Sequence, residues 1–412
     1  MSILARVTRN IVFKFSGEIF SRLLTFIFFI YVARMLGDAG LGEYSFVVSF
    51  ATIFLVLADL GFNTLLIRDV AADKDKVNQY VGNINTLKVI LSVIVFIAMT
   101  VIISFSSYSQ ITVLNVQLAG LMALINSFID YSYAIFNAFE KMHNEMMLKI
   151  INKIFIVSLG TLCLIFKPDV TYLLIGTLTA NFLTIFIALI ILIKNGIKIR
   201  FLFESDFFKG FLKQAIPMAI TSICVLIYFR IDIVMLSYMH RSNAEIGWYS
   251  VGIRLIDAFA IFPYLIMTAI FPVLSSENNK HFKKIIKKSL KYLLILSIPL
   301  TIGGMLLAHE IIILLYGVKF INATQGLQSL ILVLPFIFGN YVFVYALTTI
   351  KKQHLIAFNT FLCIPVNIIL NLALIPVYGY IGAGISTVVT ELVLFILNLY
   401  FVVKNKIIES ET

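Results

Sequence analysis

Gly42-Glu43-Tyr44-Ser45 returns as Gly247-Trp248-Tyr249-Ser250, 205 residues further on, and each copy opens an apolar segment long enough to cross a bilayer. A second pair, Tyr172-Leu173-Leu174-Ile175-Gly176 and Tyr378-Gly379-Tyr380-Ile381-Gly382, lies 206 residues apart. Lys194-Asn195 and Lys404-Asn405 close the two halves. Any one of these short strings recurs by chance. Three in the same order at nearly one offset mark an internal duplication.

Hydrophobic residues make up 60% of the 412 and charged residues 13%, with a mean hydropathy of +1.00, outside the range of soluble domains. Runs of about 20 apolar residues, enough helix to cross about 30 Å of hydrocarbon, recur throughout. The alternating pattern of a membrane β-barrel is missing. Twelve spans are expected, at about 11–35, 41–66, 80–104, 111–138, 146–166, 171–193, 211–238, 246–273, 286–308, 325–350, 354–375 and 380–403. Six fall in each copy of the repeat, and an even number gives both copies one orientation. The expected fold is an all-α polytopic membrane protein of about twelve transmembrane helices. They form two parallel six-helix repeats, 1–200 and 201–412, around a central cavity. The connection 194–210 is the natural linker. The first span carries Lys14, Glu18 and Arg22 without a small-residue cleavage site, which argues against a cleavable signal. Cys163, Cys224 and Cys363 lie within spans and read as packing residues, not as disulfides or metal ligands.

The net charge of +11 is sorted by loop. Alternate loops collect it: Arg6 and Arg9; Arg68, Lys74 and Lys76; Lys141 and Lys149; Lys194 to Lys213; Lys280 to Lys291; Lys351 and Lys352; Lys404 and Lys406. The intervening loops hold only Arg34, Lys167, Arg241 and Lys319. This positive-inside asymmetry puts both termini in the cytoplasm and removes any need for nucleic acid as a partner. The run His281–Lys291 reads as an orientation signal, with anionic lipid as its other reading. Three arginines then remain inside apolar spans: Arg22, Arg230 and Arg254. An arginine near mid-membrane costs about 2.5–3.5 kcal/mol on insertion scales, so a bound anion is the expected reason for keeping it.

The stretch Asn367 to Glu391 carries Asn367, Asn371-Leu372, Leu374-Ile375-Pro376, Tyr378-Gly379 and Ile381-Gly382-Ala383-Gly384. It resembles the N-x-x-L-N-x-x-L-I-P-x-Y-G-x-x-G-A-A pattern near the end of Wzx-type polysaccharide flippases. These belong to the multidrug/oligosaccharidyl-lipid/polysaccharide exporter superfamily. Asp59-Leu60-Gly61-Phe62 with Arg68, Arg230-Ile231-Asp232, Pro272-Val273-Leu274-Ser275 and Leu315-Tyr316-Gly317 agree with it. Gly384 stands where an alanine is common, and the chain is shorter than the fourteen-helix lipid II flippases. The resemblance implies transfer of an undecaprenyl-pyrophosphate-linked oligosaccharide, such as an O-antigen unit, to the outer leaflet of a bacterial inner membrane. Membrane lipid and other envelope polysaccharide assembly proteins would be its partners.

A pyrophosphate suits the arginines, because guanidinium offers forked donors and stays charged when desolvated. If spans one and two correspond to seven and eight, Arg22, Arg230 and Arg254 converge where the halves face. The plainer alternative is that each pairs with a carboxylate to fix packing. Glu18 is four residues from Arg22 and Asp257 three from Arg254, each on a shared face, whereas Asp232, two from Arg230, is on a different one. Asp59, Asp130 and Glu391 are intramembrane acids with no base close in sequence. They are candidates for coupling H+ or Na+ to transport, or else hydrogen-bond to a neighbouring helix.

His143, His240, His281, His309 and His354 lie near helix ends without metal-ligand spacing, and no phosphate-binding glycine loop occurs, so neither metal nor cofactor is expected. Pro263, Pro299, Pro335 and Pro365 fall within spans and should bend them. Two other functions compete. A cation-coupled multidrug exporter should present acids to its cargo, which the arginines oppose. A glycan polymerase needs catalytic groups on a large outer loop, and the longest, 309–324, holds one acid, one Lys and one His. A transporter, not an enzyme, is the expectation.

Overall fold

The computed structural model describes residues 3–275 and 281–407, less the side chains of 3–16, 217, 218 and 221. Among the orientation charges, Lys280 lies outside the described residues, as do the side chains of Arg6, Arg9 and Lys14. Helices follow one another along the chain: α1 (Ile3–Asp59), α2 (Phe62–Ala72), α3 (Val77–Ser104), α4 (Gln110–Ala138), α5 (Met142–Phe166), α6 (Val170–Lys194) and α7 (Ser205–Tyr238). Then come α8 (Asn243–Phe259), α9 (Ile261–Leu274), α10 (Phe282–Leu306), α11 (Ala308–Tyr316), α12 (Ala323–Ile331), α13 (Leu334–Thr349) and α14 (Gln353–Lys404). No strand occurs among the described residues.

Among the described residues eight stretches are long and apolar enough to cross a membrane, nine when α12 and α13, bent by 46°, are taken as one. Two of the eight, Gly17–Ala72 and Gln353–Lys404, are 56 and 52 residues long; the first is interrupted at Leu60–Gly61, where α1 gives way to α2, and α1 and α14 are themselves each broken once, at Gly37 and at Gly379. The breaks at Gly37 and Gly379 add two crossings. The 34-residue α7 brings the total to twelve.

The breaks fall where only glycine is comfortable: Gly37 has φ 71° and ψ −178°, Gly379 φ 59° and ψ −137°. At the second, Pro376 lacks an N–H, and the carbonyls freed there need donors. Arg241, on the turn before α8, donates to the carbonyls of Ile375 and Pro376. Glu245 Oε2 accepts from the Tyr380 amide at 3.3 Å. The Ile375-Pro376-x-Tyr378-Gly379 string is thus a clamped reversal between two crossings.

The duplication is visible in the side chains. In one half Lys141 donates to Asn195 Oδ1, and in the other Lys352 donates to Asn405 Oδ1. Each asparagine then donates back to its own helix, to Ile191 O and Phe401 O, both at 2.7 Å. Each lysine follows a left-handed residue, Glu140 at φ 57° and Lys351 at φ 60°. The Lys-Asn strings that close the halves therefore end in the same lock.

By contacts the chain forms two compact units, Met1–Leu36 with Phe46–Leu226, and Gly37–Ser45 with Ile227–Thr412. Helices in lipid gain little from apolar burial against one another, so close backbone approach and polar contacts hold each unit together. In the first, Asn152 donates to Asn181 at 3.0 Å and to Thr184 at 3.1 Å, joining α5 to α6. In the second, Asn359 donates to Asn398 at 2.8 Å and Asn398 to Asn340 at 3.1 Å. Gly42 meets Gly247 in the second unit: a Cβ on Gly42 would lie 1.7 Å from the Asn243 carbonyl oxygen. The opening glycines of the repeated motif are therefore each other's contact. Large apolar side chains such as Ile97, Phe166, Phe186 and Ile302 stay exposed, as a lipid-facing surface requires.

Two expectations need correction. The segment read as an outer loop, 309–324, is folded into α11 and a 3-10 turn, with Ile312, Tyr316 and Phe320 buried. The tenth span is not one helix but α12 and α13, parted before Pro335. In the connection 194–210, Leu202 N donates to Gly82 O at 3.1 Å and Asn85 donates to Arg200 O at 3.2 Å, stitching it along α3.

Candidate functional site

In the first unit the charges interlock. Arg22 Nε lies 2.8 Å from Glu18, and Lys149 from α5 reaches the same carboxylate at 3.7 Å. Lys149 also holds the buried Glu145 at 2.7 Å and lies over the Tyr133 ring. Lys149 is thus half-buried in an ion-pair chain and is not a loop charge. Its pattern was readable, because Glu145 and Lys149 are four residues apart on one helix.

Lys88 is the larger surprise, since the loop assignment passes over it. It sits on α3 with no solvent exposure, 2.7 Å from Asp59 and over the rings of Phe128 and Tyr131. Asp59 is therefore a paired acid, its partner 29 residues away. Asp130 accepts from Asn126 at 3.1 Å, and the charges of Asp59, Lys88, Lys149 and Lys153 all act on it. Arg22, Lys88, Lys149 and Lys153 thus stand beside Glu18, Asp59, Asp130 and Glu145, cation for anion.

The second unit is arranged differently. Arg230 of α7 feels Arg254 of α8 as a like charge and Asp257 as an opposite one. Tyr44 lies within the field of both arginines, and Tyr316 within that of Arg254. Arg230 and Arg254 are only half-buried. Two like charges that feel one another inside bilayer-crossing helices repel, and a bound anion would relieve the repulsion. The structure brings Arg230, Arg254 and Asp257 together; Arg22 belongs to the other unit.

Asp232 faces away from this pair, as the spacing predicts. Its buried carboxylate accepts from Tyr249 at 2.7 Å, Asn371 at 2.6 Å and Thr387 at 3.1 Å. Asn367 Oδ1 accepts from Asn371 at 3.0 Å, and Asn371 Oδ1 is buried without a hydrogen-bond partner in the described residues. One helical turn past Thr387, buried Glu391 accepts from Tyr228 at 2.7 Å and from Asn340 at 2.8 Å. Asn367 and Asn371 were visible as motif letters, but nothing in sequence tied them to Asp232. Among the described residues no cluster of three or more His, Cys, Asp or Glu side chains could hold a metal ion, and Cys163, Cys224 and Cys363 are free thiols.

Comparison with known proteins agrees with this architecture. The family described as polysaccharide biosynthesis protein matches residues 7–278, and the MatE family matches 217–373. A Shigella flexneri protein assigned as an O-antigen transporter is 24% identical over 407 residues, covering 92% of this chain and 94% of its own. The lipid II flippase MurJ in an inward closed conformation superposes with a TM-score of 0.76 at 21% identity, over 95% of this chain and 87% of that one. An inward-facing multidrug resistance MATE transporter gives 0.74 at 16%, over 96% and 98%. This multi-pass membrane protein belongs to the polysaccharide biosynthesis protein family, the Wzx-type branch of the multidrug/oligosaccharidyl-lipid/polysaccharide exporter superfamily.

Proposed function

We propose that the chain is a flippase that moves an undecaprenyl-pyrophosphate-linked oligosaccharide, a polysaccharide repeat unit, from the cytoplasmic to the outer leaflet of a bacterial inner membrane by alternating access. The observation that carries this reading is the Arg230–Arg254 pair, two like charges in membrane helices with Asp257 beside them. Pyrophosphate is a dianionic, forked acceptor of the kind guanidinium recognises. Arg22 is a further residue proposed to bind pyrophosphate. A relative that resembles this chain over nearly its whole length is assigned as an O-antigen transporter, which supports the same cargo. The polyprenyl tail stays in lipid. Both termini lie in the cytoplasm, and other polysaccharide assembly proteins supply and receive the cargo.

Coupling to H+ or Na+ fits the second unit. A buried carboxylate at Asp232 accepts from Tyr249, Asn371 and Thr387, none of them cationic, and has an unused amide oxygen of Asn371 close by. Oxygen donors around a lone carboxylate suit a proton or a small hard cation. Glu391 and Asp130 remain further candidates. Asp59 suits the role less, because Lys88 already compensates it.

A multidrug exporter has the same fold, but a cationic drug would be repelled by the arginine pair. The deciding experiment deletes the gene and locates lipid-linked glycan across the membrane. Accumulation on the cytoplasmic leaflet is expected. Unpolymerised units accumulating on the outer leaflet would point to a polymerase and overturn the proposal.

A further inference from the structure

The lysine run at the start of α10 does more than set orientation. Between Ser275 and Tyr292 the sequence has one acid, Glu277, outside the described residues, against six lysines. Lys284, Lys288 and Lys291 are exposed, and no carboxylate among the described residues pairs with them. They share one side of α10, at spacings of four and three. Directly beside them α9 and α10 part to leave a groove of about 310 Å³. Ile266 and Ile270 form one wall, Ile285, Leu293 and Leu296 the other, and Lys288 and Tyr292 stand at its edge. An apolar slot edged by cations and an interfacial tyrosine has the two chemistries of a single amphiphile.

We propose that this groove binds an anionic phospholipid, one acyl chain between α9 and α10 and its phosphate on Lys284, Lys288 and Lys291. Charge complementarity selects the occupant. A zwitterionic lipid offers the chain but cancels the attraction, whereas each lysine near an anionic headgroup adds to binding. The site is separate from the Arg230–Arg254 pair and does not depend on what that pair carries.

The test titrates the purified full chain, in neutral detergent, with phosphatidylglycerol and with phosphatidylcholine of the same chain length. It reads Tm and, by native mass spectrometry, the number of lipids retained. Phosphatidylglycerol should raise Tm and leave one molecule bound, and phosphatidylcholine should do neither. K284Q/K288Q should weaken binding by about tenfold to thirtyfold, from two lost headgroup contacts. K284R/K288R should keep it, which separates lost charge from lost folding. I270W fills the groove with the lysines intact and should also weaken retention. Equal responses to the two lipids, or unchanged binding by K284Q/K288Q, would overturn the proposal. Normal binding by I270W would overturn the groove and leave the lysines a diffuse surface charge. Displacement of the retained lipid by equimolar undecaprenyl phosphate would overturn the phospholipid as occupant and assign the groove to the cargo's tail.

Discussion

Lys88 and Asp59 keep opposite charges at 2.7 Å with the ammonium wholly buried, and two aromatic faces complete the lysine's surroundings. Breaking such a pair leaves one uncompensated buried charge, at a cost of about 3–5 kcal/mol, while replacing both members costs far less. Lys88→Met should therefore lower the Tm of the purified protein sharply, and Lys88→Met/Asp59→Leu should recover most of the loss. A double variant as unstable as the single one would mean Lys88 acts through packing alone. The same logic separates the two readings of the arginines. Arg230→Ala or Arg254→Ala removes a forked charge-assisted contact, about 1.5–3 kcal/mol or roughly tenfold to more than a hundredfold in affinity for the cargo. Export should collapse while the protein level stays normal, and Arg→Lys should restore only part of it. If Arg254 merely answers Asp257, Asp257→Asn/Arg254→Gln should export normally, and that result would remove Arg254 from the anion site. Sequence alone exposes Arg230 and Arg254, because a charge in an apolar run is conspicuous. Lys88 lies between Leu87 and Val89 and meets the same criterion, but its partner, 29 residues away on another helix, is not legible in one dimension.

At the scale of helices, the sequence pattern foretold that crossings would exist but not how they bend. The Pro376–Gly379 reversal depends on three residues that no local rule connects. Gly379 supplies φ 59°, and Arg241 from the turn before α8 and Glu245 from its first turn satisfy the broken backbone. A Cβ at 379 would sit 2.2 Å from Glu245 Oε2, in a conformation that costs a side chain about 1–3 kcal/mol. Gly379→Ala should lower Tm, and Arg241→Ala should cost a comparable amount by leaving two carbonyls without donors. Adding Glu245→Ala to Gly379→Ala should recover the steric part only. Full recovery would mean that the backbone at 379 is not strained. Gly42 and Gly247 make the matching case: their repetition is plain in the sequence, their mutual contact is not. Gly247→Leu should disrupt the α1–α8 approach far more than Gly252→Ala, whose Cβ would meet mainly a flexible leucine end.

For the whole molecule, duplication was the strongest message the sequence carried, since matching strings at one offset survive when contacts cannot be seen. The Lys141–Asn195 and Lys352–Asn405 locks give that duplication a structural reason. The loop charges predict one orientation in the bilayer, and that expectation yields the last prediction. Lys76, Lys141, Arg200 and Lys283 lie exposed at one set of helix connections, and Lys167 and Lys319 at the alternate set. With Cys163, Cys224 and Cys363 replaced by serine or alanine, single cysteines at the first four should resist an impermeant thiol reagent in intact cells. They should react once the membrane is opened, whereas cysteines at 167 and 319 should react in both conditions. Because twelve crossings return the chain to the side where it began, the pattern must alternate without exception. Labelling of position 283 in intact cells would break the alternation after α9, and with it both the parallel repeat and the cytoplasmic start of the transport cycle.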